Sequence, residues 1–472
     1  MTALGSDFKA NAAKALADAE LQRALLNVKR GFVQKRVDAK ARLPEFDTLR
    51  DEARAIKLHT LSHLDLYLDY FERKVADSGG QVHFAPTAAD AREIILKLCR
   101  DADAKLVTKG KSMVSEEIGL NACLEEAGIE AVETDLGEYI AQMRNEAPSH
   151  LIAPIIHLNK ETIAEDFRRS HEGLAADRTL GSAADLVAEA RAVLRQKFLA
   201  ADVGITGANL LIAETGSSVV VTNEGNADLT QTLPKMHIVI ASIEKLVPTL
   251  EDACTILRLL ARSATGQEIT TYTTFATGLR REGDADGPSA YHVVLLDDGR
   301  SEMLGGSFND MLSCIRCGAC LNHCPVYATI GGHAYGSLYV GPMGAVLTPA
   351  LVGIDHARDL PNASSLCGRC EDVCPVRIPL PSMLRAWRER DFARGNPKFR
   401  EKTALKLWAY AAKRPRLYHA LSGAAVKLLA LLAGRSGKLS WLPFAGAWTR
   451  NRDLPAPEGE TFHQLYAKRT QE

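Results

Sequence analysis

The chain has 472 residues, and its 57 Lys plus Arg against 58 Asp plus Glu leave a formal net charge of -1. This balance excludes a protein that coats nucleic acid through its overall charge, so we expect no nucleic-acid partner. With 46% hydrophobic and 24% charged residues, the composition also excludes disordered and collagen-like classes, and at about 100 to 200 residues per domain the length predicts two to four domains.

The N-terminal region predicts helices and carries no targeting signal. Apolar residues recur at helical spacing over residues 8–33 and 49–75, which is typical of long amphipathic helices. Residues 1–18 mix Ala, Lys and Asp without the apolar segment of a secretory signal. No run reaches the roughly 18 consecutive apolar residues of a membrane span, and the nearest one, residues 424–433, contains Lys427. We therefore expect a cytoplasmic protein without a transmembrane segment, whose thiols stay reduced.

Short β-rich runs alternate with helical stretches from residue 76 to residue 300. Strands are predicted at residues 81–84, 105–108, 130–133, 151–156, 210–213, 217–222, 237–241, 269–274 and 291–296. Helices are predicted between the first of these strands, at residues 88–100 and 116–127. This alternation predicts an α/β domain with a largely parallel sheet.

Turn residues within the α/β domain offer candidate anion sites. Glycines and small hydroxyl residues flank short strands over residues 204–226, where backbone N–H groups could face a carboxylate or phosphate and Glu214 could act as a base or nucleophile. Tight hairpin turns explain this pattern equally well.

The segment KGKS at residues 109–112 does not complete a phosphate-binding P-loop, because Lys105 stands where that motif requires glycine. Its two lysines remain candidates to bind an anion. No GxGxxG follows a predicted strand, so nicotinamide or flavin binding of the Rossmann type has no support.

From residue 301 the sequence is rich in Cys, Gly and Pro, and its first cysteine run has a diagnostic spacing. The spacing C-x2-C-x2-C-x3-C-P is formed by Cys314, Cys317, Cys320, Cys324 and Pro325. Bacterial ferredoxins hold iron–sulfur clusters with this spacing, and their fourth cysteine ligates the other cluster. A zinc ribbon would use two CxxC pairs instead, so iron–sulfur chemistry is favoured over structural zinc.

A second run repeats the pattern with one cysteine fewer. It is formed by Cys367, Cys370, Cys374 and Pro375. When the two Cys-Pro steps are aligned, Ser364 stands where the first run has Cys314. Under the crossed ligation of two-cluster ferredoxins, the first cluster would be held by Cys314, Cys317, Cys320 and Cys374. The second would be held by Cys324, Cys367 and Cys370.

Seven thiolates therefore divide as four plus three, and the missing eighth ligand leaves several outcomes open. The second centre can be a [3Fe-4S] cluster, a [4Fe-4S] cluster completed by an oxygen ligand, or a [4Fe-4S] cluster whose open iron takes substrate or solvent. Ser364 is the candidate oxygen ligand. The alternative is that Ser364 is a plain loop residue, because an alkoxide is a far weaker ligand for iron than a thiolate.

The remaining cysteines and the C-terminal region suggest structural or docking roles. Cys99, Cys123 and Cys254 lie in predicted helices outside the two runs and are expected to be small buried hydrophobes. Residues 385–416 contain eleven Lys or Arg against three Asp or Glu. We interpret this helical-looking stretch as a solvated face or a docking surface for an acidic partner subunit, with membrane-surface binding as the alternative.

Several segments together resemble the lactate-utilization protein B family. They are the cysteine runs, TGANLLIAETG at residues 206–216, KGKSM at residues 109–113 with Glu116 and Glu117, and YxGPxGAVLTP at residues 339–349. Near the C-terminus, WLPF at residues 441–444, WTR at residues 448–450 and RDLPAP at residues 452–457 resemble the same family. The resemblance covers essentially the whole chain.

The resemblance implies an LUD domain, similar in fold to sugar-phosphate isomerases and CoA transferases, fused to a two-cluster ferredoxin module. It also implies a cytoplasmic system in which the chain and two companion subunits oxidise L-lactate to pyruvate and allow growth on lactate. The family has the same seven cysteines, so Ser364 is no departure from it. The expected domains are an N-terminal helical region over residues 1–75, the α/β LUD domain over 76–300, an α-helical ferredoxin-like iron–sulfur domain over 301–384 and a basic helical C-terminal domain over 385–472.

Functions of three classes compete. The leading one is an iron–sulfur electron-transfer subunit of an L-lactate-oxidising complex, with two [4Fe-4S] clusters and with L-lactate or a related 2-hydroxy acid bound here or on a partner. The alternative is an enzyme similar to acyl or CoA transferases, with structural clusters and Glu214 as the nucleophile. A scaffold without redox work is disfavoured, because it has no need of oxygen-sensitive clusters. No residue is identified as the catalytic base.

Overall fold

The structure is a computed structural model that describes residues 7–110, 112–175, 177–395, 399–442, 446–449 and 452–469. By its internal contacts the chain divides into two compact units, residues 1–390 and residues 391–472. The first unit contains the N-terminal helices, the α/β domain and the cysteine-rich region. The second unit contains the C-terminal helices and a short pair of strands.

In the described part of the chain, which begins at residue 7, five α-helices precede the first strand, as the apolar spacing predicts. They span Phe8–Ala17, Ala19–Val28, Gln34–Ala41, Phe46–Ser62 and Leu64–Asp77, with a π-helical turn at Lys29–Val33. Phe46 and Leu49 on the fourth helix are buried in a core that also contains residues of the cysteine-rich region. Phe71 and Val75 on the fifth helix pack against the central sheet in a separate core. The amphipathic faces of these helices are therefore buried against two different parts of the first unit.

Ten strands follow among the described residues of the first unit. They are β1 (Gln81–Ala85), β2 (Leu106–Gly110), β3 (Glu130–Glu133), β4 (Val203–Thr206), β5 (Leu210–Ile212), β6 (Ser217–Thr222), β7 (Met236–Ser242), β8 (Leu246–Val247), β9 (Tyr272–Ala276) and β10 (Ala290–Leu296). Six of them form a parallel sheet in the order β1-β10-β7-β4-β2-β3. Within it Val203 of β4 is paired with Val107 of β2 and Met236 of β7. The other four form a mixed sheet in the order β8-β5-β6-β9.

The parallel sheet is buried on both faces, which confirms the predicted α/β architecture. Successive side chains of a strand point to opposite faces: on β7, Ile238 and Ile240 belong to one apolar core, and Val239 and Ala241 belong to another. Such strands are rich in Val, Ile and Leu because helices cover both faces. The helices of this domain span Ala88–Asp101, Met113–Glu117, Leu120–Glu126, Leu136–Met143, Lys160–Ser170, Ala183–Ala200, Asn226–Thr232 and Leu250–Ala264.

One predicted strand is wrong, and two strands among the described residues of the first unit, β4 and the two-residue β8, were not predicted. Residues 151–156 form a loop rather than a strand, because Nδ1 of His150 accepts the N–H groups of Ile152 and Ala153, at 3.1 and 3.2 Å, and curls the backbone around the ring. The unpredicted strand β4 contains Gly204, and a Cβ there would lie 1.7 Å from the carbonyl oxygen of Thr230. Glycine weakens the sequence signal of a strand, but here it permits a close approach of two backbones.

The cysteine-rich region consists of short helices joined by tight turns. The α-helices span Ala319–Asn322, Tyr327–Ile330, Gly341–Val352, Arg369–Asp372 and Leu380–Ala393. Apolar side chains of this region, among them Leu312 and Leu384, share one core with Phe46 of the N-terminal helices and Ile212 of the mixed sheet. This shared core fixes the cysteine-rich region against both.

The second unit has little buried surface of its own. Its helices span Phe399–Ala412, Pro415–Ala433, Gly446–Thr449 and Phe462–Arg469, and its strands β11 (Lys438–Leu439) and β12 (Leu454–Pro455) pair antiparallel. In the part of the chain that the structure describes, the helix over residues 415–436 alone is long and apolar enough to cross a membrane, with a mean hydropathy of 1.4 over its most apolar window. A sequence criterion of consecutive apolar residues passes over this helix because Lys427 interrupts it.

Candidate metal centre

Four cysteines from the two runs line one cavity. The cavity is lined by the side chains of Cys314, Cys317, Cys320 and Cys374, together with apolar residues that include Ile315, Met343 and Val376. None of the ten cysteines forms a disulfide. Burial raises the pKa of Cys317 to about 12 and that of Cys374 to about 11. These groups are therefore neutral thiols at physiological pH unless a bound cation stabilises their thiolates.

The two cysteine runs have the same backbone conformation. Gly318 and Gly368 both adopt left-handed conformations, with φ of 72° and 83°, and each is the N-terminal cap of a four-residue helix. Two residues earlier, Arg316 and Leu366 are also left-handed, with φ of 58° and 54°. Each run thus forms a tight loop before a short helix, and the sequence repeat is also a structural repeat.

The other three cysteines of the runs form a second group nearer the surface. The thiol of Cys370 has its pKa raised to about 12, first by burial and then by the neighbouring Cys324 and Cys367. Burial likewise raises the pKa of Cys324, and Cys367 adds to the effect. Cys367 itself is exposed, and hydrogen bonds from the backbone of Arg369 and the side chain of Ser365 lower its pKa. Cys370 also raises the pKa of Cys320, so these three cysteines lie beside the four that line the cavity.

Ser364 is a turn residue. Its hydroxyl accepts the N–H of Leu366 at 3.1 Å, and its carbonyl accepts a hydrogen bond from Arg388 at 3.0 Å. Both interactions stabilise the loop that leads into Cys367. In this conformation the Ser364 hydroxyl is engaged by its own backbone, which favours the loop-residue interpretation over direct ligation.

Unpaired buried donors near the cysteines test whether an iron–sulfur cluster fits. Oγ of Ser313 and Oη of Tyr335 are buried and have no hydrogen-bond partner among the described atoms. Leaving a buried donor unpaired costs about 1–3 kcal/mol. Ser313 adjoins Cys314 in sequence, and the phenol of Tyr335 interacts electrostatically with Cys324 and Cys320. Inorganic sulfide and thiolate are acceptors for such donors, so the residues present fit an iron–sulfur cluster.

A buried ion network joins the parallel sheet to the first cysteine loop. Arg300 donates to both carboxylate oxygens of Glu117, at 2.9 and 2.8 Å, and pairs with Glu244 at 3.2 Å. Glu244 also pairs with Arg316 at 3.2 Å, and the Arg316 guanidinium lies 4.9 Å from the ring centroid of Tyr339. Glu117, Glu244 and Arg300 follow the carboxyl ends of β2, β7 and β10. The carboxyl edge of the sheet therefore holds the loop between the first two cysteines.

Arginines of the N-terminal helices hold the second cysteine run, which sequence reasoning missed. Arg36 donates to the carbonyl of Val373 at 2.7 Å, and Arg50 donates to the carbonyl of Cys374 at 3.0 Å through Nε and 2.8 Å through Nη2. Both arginines are buried. They lie more than 300 residues from their partners, so no local sequence pattern could have found them. They fix the turn at Cys374 and place two positive charges beside the four-cysteine cavity.

Two side chains that the sequence offers as functional groups of the α/β domain, Lys109 and Glu214, already have partners. Nζ of Lys109 is buried between Glu133 at 2.7 Å and Glu116 at 2.9 Å, and Lys111 lies outside the described residues. Glu214 is exposed and accepts the N–H of Leu250 at 3.2 Å, so burial does not activate it as a nucleophile. Burial, followed by the nearby Glu116, raises the pKa of Glu133 to about 7.

The three cysteines outside the runs differ from one another. Cys99 is buried, as expected for a small hydrophobe, and burial raises its pKa to about 12. Cys123 is half-buried and Cys254 is exposed. The prediction of a buried position is therefore wrong for Cys254, because it lies on the solvent side of the helix Leu250–Ala264, whose buried stripe contains Ile256 and Leu260.

Comparison with known proteins agrees with this organisation. The chain matches the LUD domain over residues 68–296, a 4Fe-4S dicluster domain over residues 310–378 and the C-terminal domain of lactate utilisation protein B over residues 393–471. It is 42% identical to lactate utilization protein B of Bacillus pumilus over 98% of both chains. It is 45% identical to the protein of that name from a Geobacillus species, over 92% of this chain and 90% of the relative. It is also 41% identical to the uncharacterized electron transport protein YkgF of Escherichia coli, over 98% of this chain and 97% of the relative.

The unpaired hydroxyl of Tyr335 leads to a prediction about cluster potential. A hydrogen bond from Tyr335 to a cluster sulfur would stabilise the more negative, reduced state. We therefore expect Tyr335→Phe to shift one reduction potential to a more negative value, by tens of millivolts, in an EPR-monitored redox titration. Tyr327→Phe is the matched control, because the Tyr327 hydroxyl already donates to the carbonyl of Ser149 at 2.8 Å. Equal potentials in the wild type and Tyr335→Phe would contradict this role.

Proposed function

The chain belongs to the lactate utilization protein B family, and on that premise we propose that it is the iron–sulfur electron-transfer subunit of a cytoplasmic complex that oxidises L-lactate to pyruvate. The observation that carries the proposal is the convergence of Cys314, Cys317, Cys320 and Cys374 on one cavity. These four cysteines come from two runs that are separate in sequence. The match to a 4Fe-4S dicluster domain over the same residues supports iron–sulfur clusters as the occupants.

We assign the ligands in two sets. Cys314, Cys317, Cys320 and Cys374 hold the first cluster, a [4Fe-4S] centre. Cys324, Cys367 and Cys370 hold the second, which is a [4Fe-4S] centre with a fourth ligand other than cysteine or a [3Fe-4S] centre. Oxidation of L-lactate to pyruvate releases two electrons and two protons, and such clusters take up electrons one at a time.

The residues around the first set shape its environment. Ile315, Met343 and Val376 line the cavity and exclude water. Arg36 and Arg50 are buried beside it and favour the uptake of negative charge. The second set differs because Cys367 is exposed, which puts that site where another protein can approach. This contrast supports a role in passing electrons between a protected site and the surface.

The transferase-like alternative finds little support. It requires Glu214 as an activated nucleophile, but this carboxylate is exposed and accepts a hydrogen bond at the start of the helix Leu250–Ala264. It assigns the two cysteine runs a structural role only, whereas the electron-transfer proposal gives them a redox function.

Substrate-dependent reduction tests the proposed function. The complex co-purified from lactate-grown cells should contain iron and sulfide for two clusters per chain, and anaerobic addition of L-lactate should bleach the visible cluster absorbance. A variant with Cys320→Ala should lose most of this bleaching, because Cys320 is a proposed ligand. Cys254→Ala removes an exposed cysteine outside the runs and should leave the bleaching unchanged. Clusters that stay oxidised with L-lactate and are silent at all accessible potentials would overturn the electron-transfer proposal.

The three-cysteine site leads to a prediction about cluster type. If this site lacks a fourth protein ligand, the isolated protein should show the EPR signal of an oxidised [3Fe-4S] cluster after exposure to air. Ser364→Cys should convert this signal to that of a [4Fe-4S] cluster, because the substitution restores the eighth cysteine of the repeat. Ser364→Ala, which adds no ligand at the same position, is the control and should leave the signal unchanged. An unchanged spectrum in Ser364→Cys would show that position 364 does not reach the cluster.

We further propose that the second structural unit binds a companion subunit of the complex. The helix Phe399–Ala412 buries none of its residues, and the aromatic side chains of Phe399, Trp408 and Tyr410 are exposed. Exposed aromatic residues beside basic ones are typical of protein interfaces. The local excess of positive charge favours an acidic partner surface.

Charge neutralisation tests this docking surface. Arg400, Lys406 and Lys413 are exposed, so their joint substitution by Gln should leave the fold and the iron content unchanged. We expect the triple variant to recover markedly less of the companion subunits in co-purification from lactate-grown cells, with the loss increasing at higher salt. The control variant, Lys97→Gln with Lys105→Gln, removes exposed charges of the α/β domain. Undiminished recovery by the triple variant would exclude a contribution of this surface.

A further inference from the structure

A cluster of two histidines and a glutamate lies apart from the cysteines. One ligand atom from each of Glu146, His157 and His333 lies within 4.8 Å of the other two. We propose that these three side chains form a binding site for a divalent transition metal ion of the Zn²⁺ or Fe²⁺ class. The proposal is independent of the lactate-oxidising function.

In each histidine, the ring nitrogen that does not face the cluster makes a hydrogen bond, as is usual for histidines that bind metals. Nδ1 of His157 shares a hydrogen bond with the hydroxyl of Ser149 at 2.9 Å, and Nε2 of His333 lies 2.8 Å from the carbonyl of Ala147, to which it donates. These contacts leave Nε2 of His157 and Nδ1 of His333 as the nitrogens available for a metal. A neutral imidazole is the form that binds a metal.

The carboxylate is oriented in the same way. Arg144 donates to Oε1 of Glu146 at 3.0 and 2.8 Å and is itself paired with Asp166 at 2.7 Å. Oε2 of Glu146 is therefore the oxygen turned toward the histidines, and it lies 3.1 Å from Nε2 of His157.

The location of the cluster leaves room for further ligands. His157 and His333 line a cavity of about 470 Å³, whose wall also includes Lys14, Asn11 and Asn159. Two histidines and one carboxylate leave coordination positions open, as in metal sites that bind exogenous ligands. Glu146 and His157 belong to the loop between the helices Leu136–Met143 and Lys160–Ser170. Because His333 comes from the cysteine-rich region, a bound ion would link that region to the α/β domain.

Zinc binding to the full-length protein with intact clusters tests the site. After equilibrium dialysis against Zn²⁺, the wild type should hold one zinc per chain while its iron and sulfide contents stay unchanged. His333 is exposed, so His333→Ala should fold normally, and its zinc affinity should fall by at least about 100-fold. Ser149→Ala, which removes a support of His157, should weaken binding by about 10- to 100-fold. The control His356→Ala removes another exposed histidine of the same region and should bind zinc as the wild type does.

X-ray absorption at the zinc edge separates this site from the cysteines. We expect nitrogen and oxygen scatterers at about 2.0–2.1 Å and no sulfur at about 2.3 Å. Sulfur scattering would place the zinc in an incompletely filled cysteine site and overturn the proposal. So would equal zinc affinity in the wild type and His333→Ala, or no zinc retained by the wild type. Because cluster content is measured in the same samples, failure of this proposal is distinguishable from loss of the iron–sulfur clusters.

Discussion

The buried ion network of Glu117, Arg300, Glu244 and Arg316 is the constraint on which the organisation of the first structural unit depends. The side chains of Arg300, Glu117 and Glu244 are at most 1% exposed, and that of Arg316 is 10% exposed. Charges at such depth must be paired, and removal of one partner from a buried pair costs about 3–5 kcal/mol. Three of the four side chains come from the carboxyl ends of parallel strands, and the fourth lies between two cysteines. The sheet domain and the first cysteine loop therefore cannot separate without exposing these charges to solvent or leaving one of them buried without its partner.

The N-terminal helices impose a second constraint of the same kind. Arg36 and Arg50 use their guanidinium groups to hold backbone carbonyls at Val373 and Cys374, and Lys57 donates to the carbonyl of Leu246 at 3.2 Å. The helices thus contact both the second cysteine run and the segment that carries Glu244. Because the same helices hold the second run and the segment that carries Glu244, these contacts help to place Cys374 at the cavity of the first run. The residues that position the ligands are spread over the whole first unit.

The sequence predicts the parts of this structure that have a local signal. Cysteine spacing and the Cys-Pro step are such signals, and so are the apolar runs that become β3 and β6. The sequence does not predict strand β4, because Gly204 weakens the strand pattern. The reason for a glycine there, its close approach to the backbone of Thr230, is visible only in the fold. Residues 151–156 were misassigned because the ring of His150, outside the apolar run, bends the backbone.

The supporting contacts of the site have no local signal at all. From the sequence alone, Arg36 and Arg50 are expected to be solvated, as charged residues of amphipathic helices usually are. The carbonyl groups that they bind lie more than 300 residues away in the chain. Lys109 shows the opposite error: a lysine near a turn suggested an anion site, but two carboxylates already surround it. Long-range pairing of charges therefore decides which polar residues are functional, and only the three-dimensional structure reports it.

Crossed ligation, in which Cys374 serves the first cluster although it lies in the second run, can be tested by the EPR spectra of two single variants. Crossed ligation predicts that Cys374→Ala loses or alters the signal of the four-cysteine cluster, as Cys320→Ala does, and keeps that of the three-cysteine cluster. It also predicts that Cys370→Ala affects the three-cysteine cluster alone. If Cys374→Ala and Cys370→Ala instead disturbed the same cluster and left the other intact, each run would bind its own cluster and the account would be contradicted.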